Sequence, residues 1–107
     1  MATKTQIRTQ LLKDAFAGRF STYKDFGSSV GMIARGPWDV LNDIAREEMN
    51  CGYPDITVLI FLQETGYPAQ LDFVKTSSPP GPQERATART KAQEVIDLYC
   101  PGAVNPY

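Results

Sequence analysis

The segment Ile56-Thr57-Val58-Leu59-Ile60-Phe61-Leu62 decides how the chain is read. It holds seven uncharged residues, nearly all β-branched, aliphatic or aromatic. Such a run predicts a strand buried on both faces or nearly so. Before it, Asn50-Cys51-Gly52-Tyr53-Pro54-Asp55 supplies Gly and Pro stop signals, and after it Gln63-Glu64-Thr65-Gly66-Tyr67-Pro68 turns the chain. Gln70-Leu71-Asp72-Phe73-Val74 then alternates polar and apolar, as a returning strand does. The expectation is a hairpin pairing 56–62 with 70–74.

Helices flank this hairpin. Ile7, Leu11, Leu12, Ala15 and Phe16 share one helical face, so 3–17 reads as a helix capped by Thr3 or Thr5 and stopped by Gly18. Ser21 offers an N-cap to a short second helix carrying Tyr23, Phe26 and Val30, with Gly31 at its end. Pro37 suits the first turn of a third helix, where its missing N–H would have had no partner. Trp38, Leu41, Ile44, Ala45 and Met49 form that helix's apolar stripe, and Trp38 is expected in the core. Residues 75–83, with Ser77, Ser78, Pro79, Pro80, Gly81 and Pro82, read as an extended loop. Residues 84–99 read as a last helix with Ala88, Ala92, Val95, Ile96 and Tyr99 on one face. The fold class is therefore α+β: three N-terminal helices, a two-stranded β-hairpin and a C-terminal helix. The 107 residues suffice for one domain.

Three helices followed by a β-wing is the order of a winged helix-turn-helix domain. Phe20-Ser21-Thr22-Tyr23-Lys24-Asp25-Phe26 is similar to the start of the helix-turn-helix in alkyltransferase-like proteins, which use that domain to hold DNA. Gly52-Tyr53-Pro54-Asp55-Ile56-Thr57-Val58-Leu59-Ile60 with Thr65-Gly66-Tyr67-Pro68 resembles a pattern in winged-helix-like proteins of bacterial mobile and defence-linked loci. The resemblance covers residues 19–74 and implies a winged-helix-like core over 3–74. The alkyltransferase Pro-Cys-His-Arg motif is absent, so no alkyl-transfer chemistry is implied.

The chain contains no histidine. That removes the commonest general base and metal ligand, and with them Ser-His-Asp and Cys-His hydrolases and His-ligated zinc. Asp39 and Asp43 are four apart and could share a cation, but a solvated surface pair is the simpler reading. Gly27, Gly31 and Gly36 match no phosphate-loop spacing. Cys51 and Cys100 are too few and too far apart for a zinc or redox motif, and are expected as buried or half-buried free thiols. No catalytic residue, metal or cofactor is expected. Met1-Ala2-Thr3-Lys4-Thr5-Gln6 has no apolar run behind it, and no stretch is long enough to cross a bilayer, so a cytoplasmic protein is expected.

A formal net charge of −1 conceals a polarity. Residues 1–35 carry Lys4, Arg8, Lys13, Arg19, Lys24 and Arg35 against Asp14 and Asp25, a net of +4. Residues 36–73 carry Arg46 against Asp39, Asp43, Glu47, Glu48, Asp55, Glu64 and Asp72, a net of −6. In a DNA-reading winged helix the third helix enters the major groove, yet here that helix carries Asp39, Asp43, Glu47 and Glu48 around a single Arg46. The reading preferred from sequence is a non-enzymatic protein that binds a basic protein partner, as an inhibitor, immunity factor or anti-defence protein does. Its expected contacts are Asp39, Asp43, Glu47 and Glu48, with Tyr53, Tyr67 and Tyr107 as aromatic anchors in turns and tail. The alternative is nucleic-acid binding through Lys4, Arg8, Lys13, Arg19, Lys24 and Arg35. The last helix could pack on the core or exchange into a homodimer.

Overall fold

Thr3 starts the first helix, α1 (Lys4–Ala17). Its hydroxyl accepts the Gln6 N–H at 3.2 Å while the Gln6 side chain accepts the Thr3 N–H at 2.8 Å, a reciprocal cap. Gly18, at φ +66°, ends it, and the Arg19 N–H reaches back to the Asp14 carbonyl at 2.8 Å. The computed structural model describes residues 2–33, 36 and 38–107. Ser21–Thr22 form a two-residue strand, β1, so Thr22 rather than Ser21 caps α2 (Tyr23–Val30). The third helix, α3 (Val40–Asn50), begins later than Pro37, whose expected first-turn role lies outside the described residues. The last helix, α4 (Pro82–Tyr99), begins two residues before the expected start. Pro82 takes the first helical position, and the Glu84 carboxylate accepts the Gly81 N–H at 2.8 Å and the Ser77 N–H at 2.7 Å.

The predicted 56–62 strand and its pairing with 70–74 are corrected. The Asp55 carboxylate accepts the Thr57 N–H at 2.9 Å and the Thr57 hydroxyl at 2.5 Å. This local bond folds Ile56–Leu59 into a 3-10 turn instead of a strand. Only Ile60–Phe61 is extended, as β2, and it pairs parallel with β1, Ser21 against Ile60 and Thr22 against Phe61. The hairpin lies further on, with β3 (Gln70–Leu71) antiparallel to β4 (Val74–Lys75). A continuous apolar run reports burial on every side, and a buried helical turn satisfies that as well as a strand does. The molecule remains α+β, with four α-helices and two small sheets among the described residues.

The 3-10 turn is the centre of packing. Ile56, Val58, Leu59 and Ile60 are fully buried, and α1, α3 and α4 all pack against the turn. Ile7 and Leu11 of α1, Phe26 of α2, Ile44 of α3 and Ala88, Ala92 and Val95 of α4 complete one hydrophobic cluster. The last helix thus shares the core of residues 3–74. None of the described helices is long and apolar enough to cross a membrane.

The tail carries a signal that local sequence does not announce. Tyr107 is buried, its hydroxyl donating to the Val58 carbonyl at 2.6 Å. Its ring stacks on Tyr67 at 5.3 Å and meets the edge of Phe20 at 5.5 Å. The Arg89 guanidinium donates to the Tyr107 carbonyl at 2.8 Å, and the Asn105 amide donates to the Arg89 carbonyl at 2.9 Å. Tyr107→Phe leaves the buried Val58 carbonyl without this donor and is expected to lower unfolding free energy by about 1–3 kcal/mol in urea titrations. An unchanged midpoint would show that the bond contributes nothing.

Two carboxylates give opposite pH dependences. Asp14 is buried at the end of α1, accepting from the Gln10 amide at 3.0 Å and from Arg19 at 3.3 Å. Burial raises its pKa above 3.8, and the Gln10 hydrogen bond and Arg19 charge only partly oppose this. Its contribution is therefore greatest at acid pH and is lost as pH rises through the raised value. Glu84 is the reverse: the Gly81 and Ser77 N–H groups hold it below 4.5, so its contribution exists above 4.5 and is lost as pH falls through the lowered value. Relative to wild type, Asp14→Asn should gain stability from acid to neutral pH and Glu84→Gln should lose it. Denaturant midpoints at the two pH values check the signs.

Candidate partner-binding cleft

Pairing of β1 with β2 brings the start of α2 beside the residues that leave β2. The head of α3 and the 62–70 loop close the other sides, leaving a cleft of about 410 Å³. That volume lies in the range of ordinary ligand pockets. Leu41 and Pro68, both buried, and the half-buried Tyr23, Trp38 and Leu62 make a mainly apolar floor, with the half-buried Thr22 and Thr57 beside them. The Tyr23 and Trp38 rings meet edge to face at 5.5 Å, and Phe26 backs Trp38 at 5.9 Å. Trp38, expected as core, therefore packs on the core while also lining the cleft. Burial raises the Tyr23 phenol above its ordinary value, opposed by the Ala69 backbone and assisted by the Asp55 charge.

The rim is polar. Lys24, Asp39, Gln63, Glu64 and Gln70 surround the mouth and are exposed, and Asn42 is half-buried below them. Among the described residues these six side chains make no hydrogen bond or ion pair with another side chain or the backbone. Their formal charge is −1, from Asp39 and Glu64 against Lys24. Thr57, whose hydroxyl donates to the Asp55 carboxylate at 2.5 Å, also lines the cleft; the arrangement can bury an apolar group and hydrogen-bond around it.

The four acidic residues of the third helix do not form one surface. Asp39 immediately precedes α3, at the cleft rim. Asp43 is exposed, with Arg46 at 3.6 Å. Glu47 is taken up by α1: Lys4 lies in direct contact and Arg8 donates to it at 3.2 Å, which lowers its pKa. Glu48 is buried, because it stands one residue, about 100°, around the helix from the 39, 43 and 47 face. Tyr53 is exposed beyond the C-terminus of α3, whereas Tyr67 is half-buried against Tyr107 and Tyr107 itself is buried. Of the three expected anchors only Tyr53 is exposed.

The basic residues divide likewise. Lys4 and Arg8 face Glu47, and Arg19 faces Asp14. Lys13 is exposed on α1, Lys24 stands at the cleft rim, and Arg35 lies outside the described residues. The basic first third and acidic middle third thus neutralise each other where α1 meets α3. Sequence reasoning missed Glu64, which reads only as a turn residue, and missed the Tyr23–Trp38 floor, which depends on the β1–β2 pairing. Cys100 is half-buried, but Cys51 is exposed instead of buried; both are free thiols. No group of three or more His, Cys, Asp or Glu is placed to hold a metal among the described residues.

Glu47→Gln should release Lys4 and Arg8 from their partner. In a low-salt duplex mobility shift the variant is expected to bind more tightly than wild type. Its salt slope should steepen by about 0.9 for each cation newly engaging a phosphate. Identical slopes would show that the α1–α3 pairing does not mask these charges.

No protein-family model matches the chain, and comparisons with curated proteins and with solved structures return no match.

Proposed function

We propose that this chain is a small non-enzymatic binding protein that engages a basic protein partner through the head of α3 and the adjoining cleft. Inhibitor, immunity and anti-defence proteins of bacterial mobile elements or phages act in this way, in the cytoplasm. The observation that carries the reading is the fate of the charges. Lys4, Arg8 and Arg19 are paired with carboxylates, while Asp39 and Glu64 stay uncommitted and exposed at the cleft mouth, with Asp43 exposed on α3 beside Arg46. An acidic rim around an apolar floor steers a basic surface and then offers it something to bury. The same rim repels phosphate, which weighs against the winged-helix, nucleic-acid alternative, whose free cations among the described candidates are Lys13 and Lys24.

Capture from bacterial lysate tests the reading. Tagged wild-type protein is compared with Asp39→Lys/Asp43→Lys, both confirmed folded by circular dichroism. Wild type is expected to retain a stoichiometric protein that salt releases, and the double variant to lose at least about tenfold in affinity for it. Equal retention by both proteins, or recovery of nucleic acid alone, overturns the assignment.

A further inference from the structure

We infer that the cleft receives one bulky apolar side chain of a polypeptide partner, with an adjacent lysine or arginine of that partner held by Asp39 and Glu64. The inference rests on the proposed reading of a basic protein partner and names what that partner must present.

The layering of the cleft decides the order of contacts. Its buried lining, Leu41 and Pro68, is apolar, and the half-buried Tyr23, Trp38 and Leu62 widen that surface beside the hydroxyls of Thr22 and Thr57. Both rim carboxylates are exposed, at the mouth and not the floor. A cation driven to the floor would lose its water and reach neither carboxylate. A cation at the mouth keeps partial hydration and meets the exposed rim carboxylates, while the floor takes an aromatic or large aliphatic group and gains from its burial. A single residue cannot occupy both levels with full advantage; two neighbouring residues of one chain can. Between them runs peptide backbone, and the uncommitted amides of half-buried Asn42 and exposed Gln63 and Gln70 offer it donors and acceptors. A ring of polar groups around an apolar pocket is the arrangement of an interface hot spot, where one anchor dominates affinity. A phosphorylated small molecule fits worse, because two carboxylates against one lysine guard the entrance.

Trp38 is the chain's sole tryptophan and lines the cleft, so its emission reports occupancy directly. The probe is acetyl-Gly-Phe-Arg-Gly-amide, compared with forms carrying Ala for Phe, citrulline for Arg, or Glu for Arg. The Phe-Arg peptide is expected to give a saturable change in the millimolar range. Loss of the Phe ring should weaken binding about tenfold or more. Citrulline should weaken it by roughly threefold to tenfold, and Glu further, with added salt erasing the difference. In Asp39→Asn/Glu64→Gln, whose folding is checked by its thermal melt, Arg and citrulline forms should bind equally. Three results overturn the inference: no saturable change, equal binding of Phe and Ala forms, or Arg preference retained in the double variant. A fourth is self-association in sedimentation that the double variant abolishes, since the exposed Phe73-Val74-Lys75 of a second copy has the same chemistry and would then be the occupant. If lysate capture succeeds and the peptide fails, the acidic face stands and the cleft is not its anchor; the reverse pair of results leaves the cleft and removes the basic protein partner.

Discussion

The Asp55 carboxylate, bonded to the N–H and hydroxyl of Thr57, is the contact from which the rest of the architecture follows. It turns the most apolar stretch of the chain into a 3-10 turn. In such a turn side chains project around the whole circumference, whereas a strand offers two faces. Three helices can therefore pack on one four-residue segment, and α1, α3 and α4 do. The turn also leaves the Val58 carbonyl without a sheet partner, and the Tyr107 hydroxyl fills that vacancy. Ile60 and Phe61 then leave the turn extended, pair with Ser21 and Thr22, and so set the start of α2 against the 62–70 loop. The cleft exists because of that registration.

Electrostatics divides the surface more than it holds the fold together. The Glu47 pairs with Lys4 and Arg8 are solvent-exposed or nearly so, and exposed pairs contribute little to stability. Their consequence is which charges remain free. With Lys4 and Arg8 paired to Glu47, Asp39 at the head of α3 and Glu64 in the 62–70 loop remain unpaired at the cleft mouth. A near-neutral total thus becomes a local sign, and local sign governs encounter with a partner.

Much of this was legible beforehand. The α4 face, the Thr3 and Gly18 caps and the Gly31 terminator follow from 3.6-residue spacing and capping chemistry, and they hold; on the α1 face Ile7, Leu11 and Ala15 are buried, but Phe16, at the edge of the stripe, is exposed. What failed was non-local. Periodicity cannot distinguish a buried turn from a buried strand, and the decisive Asp55–Thr57 bond lies at the edge of the run. The two-residue β1 is too short for any pattern. Glu48 sits one position away from a solvent-facing acidic row, and one residue on a helix turns a carboxylate from water into the protein. Tyr107 has no neighbours in sequence to mark it as core; only the aromatic pair Phe20 and Tyr67, far upstream, gives it a place.

The remaining hairpin explains how the cleft keeps its shape. Asp72 and Phe73 both lie in the left-handed region, at φ 51° and 67°, which costs a non-glycine residue about 1–2 kcal/mol each. A tight turn joining β3 to β4 needs positive φ at both central positions, and neither is glycine. Contacts from two helices offset the strain. Lys91 of α4 holds Asp72 at 2.6 Å, and the Arg46 guanidinium of α3 covers the Phe73 ring at 5.0 Å. The hairpin is thereby tied to both helices at its tip, while its base, at Ala69 and Gln70, lines the cleft. A wall pinned at its far end loses little freedom when something docks against it, and binding free energy is then spent on contact and not on ordering.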